Sequence, residues 1–103
     1  MYATIRRYDG VDQNRTPELI RKVNETLVPK LEKQSGFAGY WLVDAGNGIV
    51  SSLSLFETSE QAAESTKVVA TWIRDEKLET MIPNEPKITS GDVVAHSNRV
   101  LVA

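Results

Sequence analysis

The middle of the sequence carries the pattern of a β-hairpin, and this feature restricts the fold more than any other. Two strand-like runs, 37–44 and 49–57, are separated by a short turn that contains Asn47-Gly48. Asn-Gly pairs tolerate the positive φ angles that a tight hairpin needs. We therefore expect two adjacent antiparallel strands, around which the rest of the chain has to pack.

One strand pattern and one helix pattern precede the hairpin. Residues 2–8 are rich in aromatic and β-branched side chains and end at an Asp-Gly turn signal, which indicates a strand. Thr16-Pro17 then favours a helix start, because Thr caps a first turn and Pro at the first helical position loses no hydrogen bond. Apolar residues continue at helical spacing beyond Pro29. We expect this proline to kink the helix near Glu25 rather than end it.

A second helix and a fourth strand are expected after the hairpin. Thr58 and Gln61 have the spacing of a capping box, in which each side chain pairs with the backbone N–H of the other residue. The helix that begins there should run to about Met81, because prolines from Pro83 onwards end it. A loop then leads to a long strand at residues 92–102.

The order strand, helix, strand, strand, helix, strand predicts an α+β fold of the ferredoxin-like βαββαβ type. Right-handed crossovers place both helices on one face of a four-stranded antiparallel sheet. The 103 residues contain no linker or repeat. We therefore expect one domain over residues 1–103.

Both faces of the predicted sheet carry apolar residues. In the second strand Phe37, Trp41 and Val43 should point to one face, and Tyr40 and Leu42 to the other. Two helices cover only one face, and an uncovered apolar face usually marks an interface. We expect a homodimer that packs sheet against sheet, with a twisted sheet partly covered by loops as the alternative.

Composition and charge exclude several classes of site. Without cysteine the chain forms no disulfide or thiolate metal site, and a single histidine excludes a multi-histidine site. A net charge of −2 argues against nucleic acid as the main partner. Arg6 and Arg7 are interpreted as a solvated edge rather than a binding patch. The sequence shows no apolar run of membrane-spanning length and no secretory signal pattern, so we expect a cytoplasmic protein without membrane contact.

A resemblance to a known family lies in three stretches, Gly36-Phe37-Ala38-Gly39-Tyr40, Ser54-Leu55-Phe56-Glu57 and Ala70-Thr71-Trp72-Ile73-Arg74. They are similar to the antibiotic-biosynthesis monooxygenase (ABM) superfamily, as is the stretch 83–91. The resemblance covers nearly the whole chain and implies a dimeric α/β barrel. It also implies several activities, among them cofactor-independent monooxygenation of phenols or quinols, haem degradation and small-molecule isomerisation. The haem-degrading members have an iron-ligating histidine on the second helix, where this chain has none, so haem degradation is not expected.

Seven residues are candidates for a site between the helices and the sheet. Trp72 could roof a pocket for a flat substrate, or pack as a flanking core residue. His96 could act as a general base, or have a structural role on its strand. Tyr40, Ser52 and Ser54 could line a pocket, or belong to the core, to the interface or to backbone hydrogen bonds. We predict that His96, Trp72 and Asn98 are catalytic. The residues predicted to bind the substrate are Tyr40, Ser52, Ser54 and Arg99.

The resemblance implies a cofactor-independent monooxygenase-like enzyme that acts on an aromatic small molecule of the phenol or quinol type. We expect no metal and no cofactor. The alternative is a non-catalytic dimeric module that binds a small ligand or serves as an accessory subunit. A cavity between helices and sheet with converging polar groups would favour the enzyme, and a space filled by side chains would favour the module.

Overall fold

Two helical stretches of the chain lie side by side on one face of an antiparallel sheet. The computed structural model describes residues 1–97. Within these residues four strands form one sheet in the order β2-β3-β1-β4. This is the predicted α+β ferredoxin-like arrangement, and the prediction is confirmed. The strands are β1 (Tyr2–Tyr8), β2 (Phe37–Gly46), β3 (Ile49–Phe56) and β4 (Lys87–Asp92), and the helices are α1 (Thr16–Lys22), a π-helical segment (Val23–Leu27), α2 (Val28–Glu32) and α3 (Ser59–Asp75).

The core lies between this sheet and the helices. The apolar stripe of the first long helix, residues 16–32, faces the sheet at helical spacing, as its sequence predicts. The described helices include none that is long and apolar enough to cross a membrane. The buried side chains of the core include Leu19, Val23, Leu27, Leu31, Val50, Val69, Trp72, Leu78 and Met81.

The first long helix contains a π-helical turn. The N–H of Val28 donates to the carbonyl of Val23, five residues back, instead of four. Pro29 has no N–H, so the α-helical bond to Glu25 cannot form at the next position. The helix continues past Pro29, as predicted, and the local irregularity near Glu25 is this π turn. Turns of this kind often lie at functional sites.

The helix α3 is shorter than predicted. It begins after the predicted capping box at Thr58, which is confirmed, but it ends at Asp75 and not near Met81. Lys77 has a φ of +56°, and a left-handed residue at this position ends a helix. The apolar residues beyond it suggested a longer helix, but Leu78 and Met81 pack into the core from a loop.

The fourth strand lies earlier in the chain than predicted. β4 pairs antiparallel with β1, with Thr89 opposite Ile5. Residues 93–97 belong to no strand, and the remainder of the predicted strand lies outside the described residues. The prediction followed the apolar pair Val93 and Val94, whereas β4 is an edge strand of mostly exposed residues, which needs few apolar side chains.

A β-bulge reverses the predicted orientation of Phe37. Ala38 has no partner on β3, because the pairing moves from Phe37 opposite Phe56 directly to Gly39 opposite Leu55. The ring of Phe37 therefore turns to the helix side, where it packs edge-on against Phe56 with centroids 5.7 Å apart. Simple strand alternation cannot predict such an inserted residue.

The sheet face away from the helices is apolar and open. Ile5, Leu53 and Trp41 lie opposite one another in a row across three strands. Trp41 is 52% exposed and Val43 is 55% exposed. The indole of Trp41 lies over Gly39, where an added Cβ would stand 2.6 Å from the ring. The predicted second apolar face is therefore present.

Candidate functional site

A narrow cavity lies between the first long helix, α3 and the sheet. The space has room for about one ordered water molecule. Its walls are mostly apolar, with Trp72 and Ile73 on the helix side. Tyr8, Tyr40 and Ser52 line the sheet side.

Trp72 forms a wall of this cavity and is 3% exposed. Its Nε1–H donates to Oγ1 of Thr26 at 2.6 Å, and the Thr26 hydroxyl donates to the carbonyl of Lys22 at 2.7 Å. Thr26 belongs to the π-helical segment. The π turn therefore carries the hydrogen-bond partner that a buried indole N–H requires.

An open groove lies on the other side of Trp72. It runs between α2 and α3, and lysines outnumber the carboxylates along it. Trp72 lines both the groove and the cavity. The charged residues of the groove are Lys30, Lys33, Lys67, Glu64 and Asp75.

Tyr40, a lining residue of the cavity, has a strongly raised pKa. The pKa of Tyr40 is raised to about 12, mainly by burial and to a smaller extent by the neighbouring Tyr8. A hydrogen bond with Ser52 and the positive charge of Arg6 both lower the same pKa, but less strongly. At neutral pH Tyr40 is therefore a hydrogen-bond donor for a ligand and not a base.

Arg6 is buried in this region, and its interpretation as part of a solvated edge is wrong. Arg6 is 1% exposed, whereas the side chain of Arg7 is 52% exposed. Neighbouring residues of a strand point to opposite faces, and here Arg6 points to the face that the helices cover. The Arg6 guanidinium donates to Ser54 Oγ at 3.2 Å, Thr66 Oγ1 at 2.7 Å and Ser65 Oγ at 3.4 Å.

The structure brings three of the seven predicted site residues, Trp72, Tyr40 and Ser52, to the cavity. Ser54 is buried beside Arg6 instead. His96 is exposed in the segment after β4 and does not reach the cavity, because the strand that was expected to carry it ends at Asp92. The other two predicted residues, Asn98 and Arg99, lie outside the described residues.

Comparisons with known proteins support this description of the fold. The sequence matches no protein-family model, and no curated protein matches it. A putative antibiotic biosynthesis monooxygenase from Nitrosomonas europaea superimposes with a TM-score of 0.71 at 14% identity, over 92% of this chain and 100% of that chain. A monooxygenase from the gene ActVA-Orf6 of Streptomyces coelicolor, in complex with the ligand nanaomycin D, gives 0.67 at 12% identity, over 99% and 92%.

Two further solved structures bear on the kind of ligand and on assembly. A mutant of MhuD with two manganese protoporphyrin IX molecules bound per active site gives a TM-score of 0.75 at 15% identity, over 96% of this chain and 100% of that chain. A dimeric ferredoxin-like protein from an uncultured marine organism gives 0.70 at 15% identity, over 96% and 92%. At these identities the similarity concerns the fold.

The described residues do not fit a haem. Helix α3 carries no histidine, and residues 1–97 hold no group of three or more potential metal-ligating side chains. The resemblance found in the sequence is nevertheless confirmed at the level of architecture, because this chain has the ferredoxin-like fold of the antibiotic biosynthesis monooxygenases.

Proposed function

We propose that this protein is a monooxygenase-like enzyme that acts on an aromatic small molecule of the phenol or quinol type, without a metal or a flavin. The observation that carries the proposal is the apolar cavity between helices and sheet, which Trp72, Tyr40 and Ser52 help to line. An apolar space with a few placed polar groups suits a flat aromatic ligand. A monooxygenase of the same fold is found in complex with the ligand nanaomycin D, which supports a small molecule as the substrate.

The chemistry that this cavity would support is modest. In an anthrone-type substrate the reacting methylene carbon becomes a carbonyl. One atom of O₂ enters that carbonyl, and the other leaves as water with the two methylene hydrogens. The substrate supplies all four electrons, so no external reductant is required. Loss of the first proton leaves an oxyanion on the ring, which the Tyr40 hydroxyl would stabilise as a donor, and the buried site would keep water away from it.

The cavity has to widen before a ring can enter. Trp72 separates it from the open groove between α2 and α3, so movement of this indole is the shortest route. Lysines along the groove would attract an acidic aromatic compound to this entrance. In this proposal Trp72 is both the lid of the cavity and the surface against which the substrate ring stacks.

Oxygen uptake with anthrone and simple quinols tests the proposed activity. The wild-type protein should consume one O₂ per anthrone and release the corresponding quinone. Tyr40→Phe should lower kcat by about 10²- to 10³-fold with little change in KM, as expected for loss of one oxyanion donor. Tyr2→Phe, which removes a hydroxyl outside the cavity, should keep wild-type turnover. If no compound of either class is consumed with oxygen, the proposal is wrong.

One observation favours a second candidate function, a non-catalytic module that binds a small ligand. The cavity is nearly filled by its own side chains, and the predicted base His96 does not reach it. Such a module would bind quinols or their oxidised forms without consuming oxygen. Binding measured by calorimetry, together with the absence of oxygen uptake, would establish this function instead.

We also propose that the protein forms a homodimer, arranged as an α/β barrel, through the sheet face that carries Ile5, Trp41 and Val43. The exposure of these side chains supports it, since an open apolar sheet face is a typical interface. The dimeric ferredoxin-like protein of the same fold supports it as well. The location in the cytoplasm stays a prediction of the sequence.

A further inference from the structure

We propose that Arg6 gives the cavity a positive electrostatic potential, so that the cavity binds its aromatic ligand as an anion, a deprotonated phenol. The inference rests on the proposed function, for which it names the charge state of the bound substrate. In this proposal Arg6 is a positioning residue. It donates a hydrogen bond to Ser54, lies opposite the cavity-lining Ser52 in the sheet and does not itself line the cavity.

The first observation is a buried charge without a carboxylate partner. Arg6 is 1% exposed, and its three hydrogen-bond acceptors in residues 1–97 are all neutral hydroxyls. The ion pairs among these residues do not include it. Buried charges in proteins are normally paired with an opposite charge or with a bound ion. Among the described residues no group acts as a negatively charged partner of Arg6, so a bound ligand could act as one.

The second observation is the polar environment that surrounds the guanidinium. Every residue of the described chain that is both buried and polar belongs to one patch on the helix-facing side of β1 and β3 and the adjoining turn of α3. Such a patch takes the place of apolar side chains in the core, and its hydroxyls hold the guanidinium in a fixed position. Its members are Thr4, Arg6, Ser52, Ser54 and Ser65.

The third observation connects this patch with the cavity. Ser52 lies directly opposite Arg6 on β3 and lines the cavity. Ser54, which accepts a hydrogen bond from Arg6, lies opposite Tyr40 on β2. The charge of Arg6 lowers the pKa of both Tyr8 and Tyr40, against the larger effect of burial. Its field therefore acts on hydroxyls at the cavity wall, and it would stabilise a ligand phenolate there in the same way.

No described group cancels this potential. Burial lowers the pKa of Arg6, and the two phenols Tyr8 and Tyr40 raise it. These phenols are the titratable groups that face Arg6, one from β1 and one from β2. The neighbouring strand β3 and helix α3 contribute only hydroxyls, from Ser54 and from Ser65 with Thr66. Both phenols are neutral at neutral pH because their pKa values are raised.

The test uses 4-nitrophenol as the probe, because its phenol and phenolate forms absorb at different wavelengths. The probe is titrated across neutral pH with and without excess wild-type protein. The pKa of the bound probe should lie about one unit below that of the free probe, which corresponds to about tenfold tighter binding of the phenolate. The neutral ether 4-nitroanisole should bind more weakly than the phenolate by a similar factor.

Variants then assign the effect to one side chain. Arg6→Met should abolish the pKa shift of the bound probe, and Arg6→Lys should keep most of it because it keeps the charge. Arg7→Met is the matched control. It removes the same charge from the next residue of β1, but from the exposed face, so the probe should keep the wild-type shift.

Each result supports or overturns the proposal. Equal pKa values for free and bound probe in the wild type overturn it, as does an unchanged shift in Arg6→Met. If Arg6→Met does not fold, as judged by circular dichroism, the wild type decides alone, and equal affinity for probe and ether overturns the proposal. Failure to bind either probe overturns it too. The measurement involves no oxygen, so absent oxygen uptake alone would refute the proposed enzyme and leave this inference standing.

Discussion

The phenol of Tyr40 links the burial of one side chain to the pH dependence of stability. Burial raises its pKa in the folded protein from 10.0 to about 12. Below about pH 10 both states keep the proton and the full stability is present. Between these values the folded state keeps a proton that the unfolded state loses. The free energy of unfolding should therefore fall as pH rises, by up to about 1.4 kcal/mol per pH unit for this group.

Urea denaturation at a series of alkaline pH values measures this effect. Tyr40→Phe has no phenol to ionise, so its stability should fall less steeply above about pH 10 than that of the wild type. Part of the loss remains, because burial also raises the pKa of Tyr8. Tyr2→Phe serves as control and should follow the wild type. Identical slopes for the wild type and Tyr40→Phe would contradict the prediction.

The sequence could predict only some residues of the candidate site. Strand alternation and helical spacing brought Tyr40, Ser52 and Trp72 into the candidate set, but they did not tell which sheet face the helices cover. The burial of Arg6 depends on what covers it, and the covering hydroxyls of Ser65 and Thr66 come from about sixty positions further along the chain. No local pattern contains such a contact.

The π-helical turn holds two elements together through one hydrogen bond. Thr26 accepts from the indole Nε1–H of Trp72 on α3 at 2.6 Å. Thr26→Val keeps the shape of the side chain but leaves this buried donor without a partner. We expect it to lower the free energy of unfolding by about 1–3 kcal/mol. Urea denaturation measures the loss, and the indole N–H signal in an NMR spectrum should move at the same time.

Thr26→Ser is the control for this prediction, because it keeps the hydroxyl and should stay close to the wild type. A full loss of stability in Thr26→Ser would show that the methyl group and not the hydrogen bond matters. In the double variant Thr26→Val with Trp72→Phe the donor is absent. The Thr26 substitution should then cost markedly less than it does alone, as expected for two coupled residues.

Elements with strong local signals were predicted well, and elements that depend on tertiary contacts were not. The Asn47-Gly48 hairpin and the capping box at Thr58 carry their geometry in their own sequence. The strand β4 has a weak pattern of its own and exists because β1 offers it an edge to pair with. The bulge at Ala38 likewise follows from the packing of Phe37 against Phe56, which no local alternation reveals.

In the molecule as a whole, the helices cover one face of the sheet and leave the other face uncovered. The covered face carries Arg6 and the cavity, and it includes most of the buried polar groups. The uncovered face is apolar along the row of Ile5, Leu53 and Trp41. A second copy related by two-fold symmetry would present the same row to itself, so one contact pattern would cover both sheets.

Trp41 should be the centre of that contact, because it combines a large aromatic surface with 52% exposure in the single chain. Trp41→Glu places a charge in the interface and should raise the dimer dissociation constant by at least about 30-fold, the effect of a typical hot-spot residue. Sedimentation velocity over a range of concentrations measures the change. Val94→Glu is the control, since Val94 is 93% exposed outside the sheet and should keep the dimer. Because Trp41 lies outside the core, Trp41→Glu should keep its circular dichroism spectrum, and a folded Trp41→Glu protein that dimerises like the wild type would place the interface on another surface.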